Sequence, residues 1–131
     1  MIFSRYSAYA HGLLRIVAGL LFLFHGTVKI LGFPPGARPG QVEPLSLMGV
    51  GGAIELVAGT LIMLGLFTRP AAFLASGQMA VAYWMFHAPQ NLYPVMNQGD
   101  AAILYCFIFL FFAAAGPGAW SLDGMRAGKR S

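Results

Sequence analysis

Four apolar runs divide the chain, and each is close to the length of a membrane-crossing helix. They cover residues 10–32, 46–67, 70–87 and 98–115. A helix needs ~20 mainly apolar residues to cross ~30 Å of hydrocarbon. Only 9% of the 131 residues are charged, whereas soluble domains average about 25%. The sequence therefore predicts an all-α polytopic membrane protein, a single domain over residues 1–131 built as a bundle of four transmembrane helices.

Local signals mark several ends of these runs. Thr68 is suited to cap the third helix, and Pro70 falls in its first turn, where proline is tolerated. The fourth run stops at Gly116-Pro117-Gly118, a strong helix-ending sequence. Between the first two runs, residues 33–45 are rich in proline and glycine. They predict a stiff, irregular loop that can act as a lid.

Basic residues predict the orientation of the chain. Four spans place both termini on one side, and the segments on that side carry Arg5, Arg69, Arg126, Lys129 and Arg130. The opposite side has Arg38 as its clear loop cation. By the positive-inside rule both termini are cytoplasmic and the 33–45 loop is extracytoplasmic. Residues 118–131 then form an interfacial tail anchored by Trp120. The net charge of +4 reflects this topology and does not indicate a nucleic-acid partner.

One face of the first helix carries the polar residues of that run. Arg15, Ala18, Phe22, His25, Lys29 and Gly32 follow one another at alternating steps of three and four residues. This spacing places them on a single face of a helix. The remaining faces consist of Leu, Ile, Val and Phe, which suit contact with lipid. His25 and Lys29 are therefore expected to point together toward the inside of the bundle.

Glu55 is an acidic residue near the middle of the second run. Gly51 and Gly59 flank it at four-residue spacing, and small residues on one face allow close helix packing in a bilayer. An uncompensated carboxylate at this depth costs about 2.5–3.5 kcal/mol on insertion scales. Helix geometry tilts the Lys29 and Glu55 side chains toward each other, with His25 between them in depth. An ion pair between Lys29 and Glu55 is therefore expected.

Further polar groups are expected at the same depth, in the outer half of the bundle. The third run ends in His87, and the fourth begins with Asn97 and Asp100. The predicted polar pocket consists of His25, Lys29, Glu55, His87 and Asp100. Its predicted aromatic walls are Phe22, Tyr83, Trp84 and Tyr105. Gln78 is left out, because nine residues of helix place it on the face opposite His87.

Several chemistries fit such a pocket. A quinone or another hydrophobic aromatic ligand would accept hydrogen bonds from His25 or Lys29 and lie among the rings. A metal site would draw on His25, Glu55, His87 and Asp100, and a bis-histidine haem on His25 and His87. A proton relay through Glu55 and the histidines is a further alternative. A structural ion pair that fixes helix order fits the cluster equally well. The lone Cys106 excludes an intramolecular disulfide.

Three motifs resemble those of the DoxX family of small four-span membrane proteins. They are His25-Gly26 with Lys29, the Gly51-Gly52 pair with Glu55-Leu56 followed by Thr68-Arg69, and the segment from Gly116 to Asp123. Together they extend the resemblance from about Arg15 to Asp123. One departure from the family pattern is Asp100, where many members have glutamate. The aspartate keeps the acid but shortens its reach.

The resemblance implies an integral protein of the bacterial inner membrane. Some members are subunits of quinone-linked oxidoreductases, and others act beside enzymes of oxidative stress or of quinone and catechol detoxification. More distant relatives are membrane chaperones or cargo receptors. The expected function is thus that of a membrane component of a redox or detoxification system, with redox partner proteins or a homo-oligomer as possible assemblies. The alternative is a non-catalytic assembly factor or accessory subunit. The resemblance does not decide whether this chain is itself an oxidoreductase.

Overall fold

The computed structural model describes residues 2–128, and the regular structure among them is helical, with no strand. A 3-10 turn (Ile2–Tyr6) leads into α1 (Ser7–Leu31), α2 (Leu47–Leu64), α3 (Thr68–Ala82), α4 (Pro94–Asn97), α5 (Asp100–Ala115) and α6 (Leu122–Gly128). One π-helical turn, Tyr83–His87, continues α3. Lys129 and Arg130, which support the predicted orientation, and the end of the predicted interfacial tail lie outside the described residues.

The four longer helices coincide with the four apolar runs, and each predicted boundary lies within three residues of the observed one when the π turn is counted with α3. By length and composition, the segment Ile2–Leu31 and α2 are the two described helices able to cross a membrane. The others are shorter. α5 is an apolar helix of 16 residues, and α3 has 15 residues before the π turn extends it.

Helices α1 and α2 run antiparallel and approach each other closely at glycine. A Cβ atom on Gly26 would stand 2.5 Å from the backbone nitrogen of Leu56, and one on Gly59 would stand 2.8 Å from the Cα of Leu23. No larger residue fits at either position unless the backbones separate. The prediction that Gly59 lies in a tight helix contact is therefore confirmed. Small residues at such seams are typical of helices that pack within membranes.

Helices α3 and α5 form a second antiparallel pair. The Ser76 hydroxyl donates a hydrogen bond to the carbonyl oxygen of Cys106, at 2.7 Å. The core between the two pairs holds Phe22, Phe109 and Phe112, which are fully buried. The Phe22 and Phe109 rings meet edge to face, with centroids 4.8 Å apart. Packing of these rings joins α1 to α5, about one helical turn from His25 along α1.

Arg15 is fully buried where α1 meets the chain after α5. Its guanidinium donates hydrogen bonds to the carbonyl oxygens of Pro117 at 2.5 Å, Ala119 at 3.0 Å and Trp120 at 2.8 Å. These bonds offset part of the cost of burying the charge, although the Nε–H group of Arg15 is buried without a partner among the described residues. Arg15 therefore holds the Gly-Pro-Gly segment in place. We call this part of the molecule the tail end, and the opposite part, which carries residues 33–45, the loop end.

The start of α3 is capped from a distant part of the chain. The Asp123 carboxylate accepts hydrogen bonds from the backbone N–H groups of Phe67, at 3.0 Å, and Thr68, at 2.9 Å. The prediction that Thr68 caps this helix is wrong, because Thr68 is its first residue. Phe67, the residue before it, adopts a left-handed backbone with φ of 49°. The turn aims both amides at α6, so a side chain from that helix caps α3 instead.

Candidate functional site

Lys29 and Glu55 form the ion pair expected between α1 and α2. The Lys29 ammonium lies 2.8 Å from Oε1 and 3.0 Å from Oε2 of Glu55. Glu55 is almost completely buried, with 2% of its surface exposed, while the Lys29 side chain keeps 16% exposure. An ammonium has three N–H donors, and the carboxylate takes two of them. The two charges therefore compensate each other, and one N–H donor of the Lys29 ammonium remains on its partly exposed side.

Gln78 completes this cluster from α3, and the sequence prediction missed it. Its amide N–H group donates hydrogen bonds to Glu55 Oε2 at 3.2 Å and to the carbonyl oxygen of Gly51 at 3.0 Å. The prediction judged Gln78 only against His87 on the same helix. A glutamine inside an apolar run was itself a sufficient signal, because an amide at that depth needs a partner on a neighbouring helix. Gly51, predicted with Gly59 to lie at a close helix contact, faces this amide, and a Cβ atom on it would stand 3.0 Å from the Gln78 nitrogen.

A cavity of about 970 Å³ lies beside the cluster, with its walls formed mainly by α2 and α3. Its polar lining consists of His25, Lys29, Glu55, Gln78, His87 and Gln98, and its aromatic lining includes Phe22 and Tyr105. The rest of the wall is mostly aliphatic. The Phe22 and Tyr105 rings pack at 5.7 Å, and Tyr105 meets the His25 ring edge-on at 6.0 Å. A mostly apolar cavity with a few converging polar groups is typical of small-molecule sites.

His25 also lines a second, smaller cavity of about 320 Å³ beneath the 33–45 loop, with Phe24, Val28, Pro34, Ala37 and Arg38. The loop is tied to the end of α1, since the Val42 N–H donates to the Lys29 carbonyl oxygen at 2.9 Å. Its Pro39 reaches the wall of the larger cavity. The loop therefore covers the loop end of both cavities, and His25 stands between them.

His87 and Tyr83 belong to a hydrogen-bond network around Asn97, which is fully buried. The Asn97 amide donates to the Tyr83 hydroxyl at 3.1 Å and to the Asn91 carbonyl oxygen at 2.9 Å. His87 Nδ1 lies 3.0 Å from the Asn97 carbonyl oxygen. This network fixes the connection between the π turn and α5. His87 also lines the large cavity, whereas Tyr83 takes part in the network and does not line that cavity.

Besides Tyr83, two further predicted pocket residues lie outside the cavity. Trp84 is 70% exposed and packs edge-on against Tyr83 at 5.4 Å, so it faces out of the molecule. Asp100 is exposed in the first turn of α5, where an acid interacts favourably with the helix dipole. The residues around it, Gln98 and Ala101, line the cavity, but Asp100 does not. The helix phase of α5 turns its carboxylate away.

The candidate metal ligands do not converge. Among residues 2–128, no three His, Cys, Asp or Glu side chains come together as a group that could hold a metal ion. The carboxylate of Glu55 is already occupied by Lys29 and Gln78. His25 and His87 do line one cavity.

Comparison with known proteins identifies the family of this chain. The family model for DoxX matches residues 11–88. An uncharacterised protein of Haemophilus influenzae is 42% identical, over 92% of both chains. An uncharacterised membrane protein of Mycobacterium tuberculosis is 31% identical over 90% of this chain and 81% of its own length.

The inner membrane protein YqjF of Escherichia coli is 29% identical over 83% of this chain and 85% of its own length. No solved structure matches. The matched residues 11–88 include the Lys29–Glu55 pair, Gln78 and both histidines of the large cavity. The chain is therefore an integral membrane protein of the DoxX family.

Proposed function

We propose that the protein is a four-helix inner-membrane bundle that binds a quinone-like or other small hydrophobic ligand in the cavity between α2 and α3. It would act as a membrane component of a redox or detoxification system. In this proposal α1, α2, α3 with its π turn, and α5 cross the bilayer, and residues 1–131 form one domain. The inner-membrane location agrees with that of YqjF, an inner membrane protein of Escherichia coli.

The distribution of charge supports cytoplasmic termini. Arg5, Arg69 and Arg126 lie at the tail end, and Arg38 lies in the loop at the opposite end. Arg69 donates to the carbonyl oxygens of Ala113 and Ala114, so it also closes the end of α5. By the positive-inside rule, the tail end faces the cytoplasm.

One observation carries the ligand proposal: an ammonium donor stands at the side of a mostly apolar cavity. Two N–H groups of Lys29 bind Glu55, and the third remains for a ligand oxygen. His25 adds a ring nitrogen on the same wall, and Phe22 and Tyr105 add aromatic surface. A ligand with a carbonyl or hydroxyl group on a flat ring matches this arrangement of donors and rings.

A second candidate is a non-catalytic assembly factor or accessory subunit. It is favoured by the pairing of Glu55, whose two oxygens are fully engaged by Lys29 and Gln78. Such a cluster joins α1, α2 and α3 without any ligand. In that role the protein would act through partner subunits or a homo-oligomer, and the cavity would hold only lipid.

Native mass spectrometry and solvent extraction of protein purified in mild detergent separate the two candidates. We expect a quinone-like molecule to co-purify with the wild-type chain. The Lys29→Met/Glu55→Leu double variant should fold but lose it, because the ammonium donor is gone. A wild-type sample with only phospholipid bound would favour the accessory role. A Soret band that His25→Ala or His87→Ala removes would favour haem.

A further inference from the structure

The large cavity is a furrow that opens sideways between α2 and α3. At the loop end it is lined by Leu47, and toward the tail end by Phe73. Both residues, and Val81 on the same wall, are more than half exposed on the outer surface of the molecule. A lining that is also outer surface forms the open side of a cavity. In a bilayer this side faces hydrocarbon rather than either aqueous phase.

Gly77 lies on the α3 wall of this furrow and has no packing reason to be glycine. No atom of residues 2–128 lies within 4 Å of a Cβ atom built on it, in contrast to Gly26 and Gly59, where backbone crowds the same atom. Glycine within a helix is less stable than alanine. The space over Gly77 is therefore not used by the protein's own side chains, and it lies one residue from Gln78 of the polar cluster.

We propose that the ligand is a tailed amphiphile that enters laterally from the bilayer. Its hydrogen-bonding head lies against Lys29 and His25, and its apolar tail passes over the backbone at Gly77 and leaves between α2 and α3. This inference rests on the proposed ligand-binding function and adds the class of ligand and its route. A compact, water-soluble aromatic would not need an open side toward hydrocarbon.

The size of the furrow and the donor on its wall favour a lipid-like molecule. The furrow holds about 970 Å³, at the upper end of the ~300–1,000 Å³ typical of small-molecule sites. The third N–H donor of Lys29, whose side chain is 16% exposed, favours an occupant with a hydrogen-bond acceptor at that depth, which an apolar helix face lacks.

Two probes with one head test this proposal on the full chain in phospholipid nanodiscs. Radiolabelled decylubiquinone carries a decyl tail, and 2,3-dimethoxy-5-methyl-1,4-benzoquinone has a similar ring without it. Gly77→Leu fills the furrow and should not disturb the fold, because the space over residue 77 is open. We expect this variant to weaken saturable binding of the tailed probe by about tenfold or more, as for the loss of two buried methylene groups. Binding of the tailless probe should stay within about twofold.

Comparing one probe across two variants removes the effect of the tail on membrane partitioning. Val81→Phe, on the same wall, repeats the test if Gly77→Leu is not recovered as folded protein. Unchanged binding of the tailed probe, or equal loss of both probes, would overturn the lateral route and leave the proposed function intact. A Gly77→Leu variant that changes only in oligomeric state would overturn the lateral route as well. Failure of the wild-type chain to bind either probe would overturn both proposals.

Discussion

At the scale of single residues, the molecule is organised around a carboxylate buried between three helices. The lean of helical side chains was enough to predict the contact between Lys29 and Glu55. The same reasoning could not find Gln78, since its role depends on the rotation of α3 about its axis relative to α2. It also misplaced Trp84 and Asp100. The position of a residue along its helix gives its depth in the membrane, but it does not give the direction in which the side chain points around the helix axis.

Replacing Glu55 alone should destabilise the protein strongly. Glu55→Gln leaves the Lys29 ammonium near a low-dielectric interior without its counter-charge, and breaking a buried pair in this way costs about 3–5 kcal/mol. Lys29→Met/Glu55→Leu should recover most of that loss, because apolar replacement of both partners is often neutral. Unfolding free energies of the single and double variants in mild detergent give the coupling directly. A Glu55→Leu variant as stable as the wild type would contradict a paired Glu55.

At the scale of elements, hydrophobic runs located the helices well, while their ends depended on partners remote in sequence. The Asp123 cap on α3 joins residues more than fifty positions apart, and nothing in the local sequence around Thr68 signals it. The π turn at Tyr83–His87 was likewise invisible to a pattern of apolar residues. The turn changes the direction of the side chains that follow it. Ideal α-helical spacing therefore does not give the correct helix face for His87.

The Asp123 cap should make stability depend on pH. Burial would raise the pKa of this carboxyl, but hydrogen bonds from the Thr68 and Phe67 N–H groups and the charge of Arg126 hold the pKa below its ordinary value of 3.8. A depressed pKa means that the stabilisation is complete above about pH 4 and is lost as the pH falls below it.

Asp123→Asn removes the charge and one of the two acceptor oxygens, and should cost about 0.5–1.5 kcal/mol at neutral pH, the net contribution of one hydrogen bond. It should also flatten the loss of stability between about pH 4 and pH 2. Thermal unfolding across that range measures both effects. Glu43→Gln, in the exposed 33–45 loop, is the matched control and should change neither. Identical acid profiles for wild type and Asp123→Asn would exclude the cap as a contributor.

The seam between α1 and α2 should tolerate no side chain at residue 59. A Cβ there stands 2.8 Å from Leu23 backbone atoms, so Gly59→Leu forces the helices apart and should cost more than about 1–3 kcal/mol, the usual range for overpacked cores. Gly77→Leu introduces the same side chain into open space and should leave the melting temperature unchanged or raise it. Equal melting temperatures for the two variants in detergent would show that the seam is not tight.

At the scale of the whole molecule, the chain consists of two antiparallel helix pairs that meet through the core around Phe22 and separate around the furrow. Composition predicts a membrane protein with a polar pocket, but it does not predict an opening between α2 and α3. Gly77 leaves space open on the α3 side of the furrow, whereas aromatic rings close the contact between α1 and α5. Similar glycines at Gly26 and Gly59 do the reverse and bring helices together.

The orientation of the whole molecule is the last prediction. Arg5, Arg69 and Arg126 lie at the tail end, so the positive-inside rule places that end in the cytoplasm and the 33–45 loop outside. A cysteine introduced at Gly36, in a Cys106→Ala background, should react with a membrane-impermeant maleimide added to intact cells. Gly36 suits this purpose, since no described residue has an atom within 4 Å of an added Cβ. A cysteine at Met125, exposed in α6, is the matched control and should react only after the cells are opened. Labelling of Gly36→Cys only in opened cells would reverse the topology, and with it the assignment of the furrow's polar end to the outer half of the membrane.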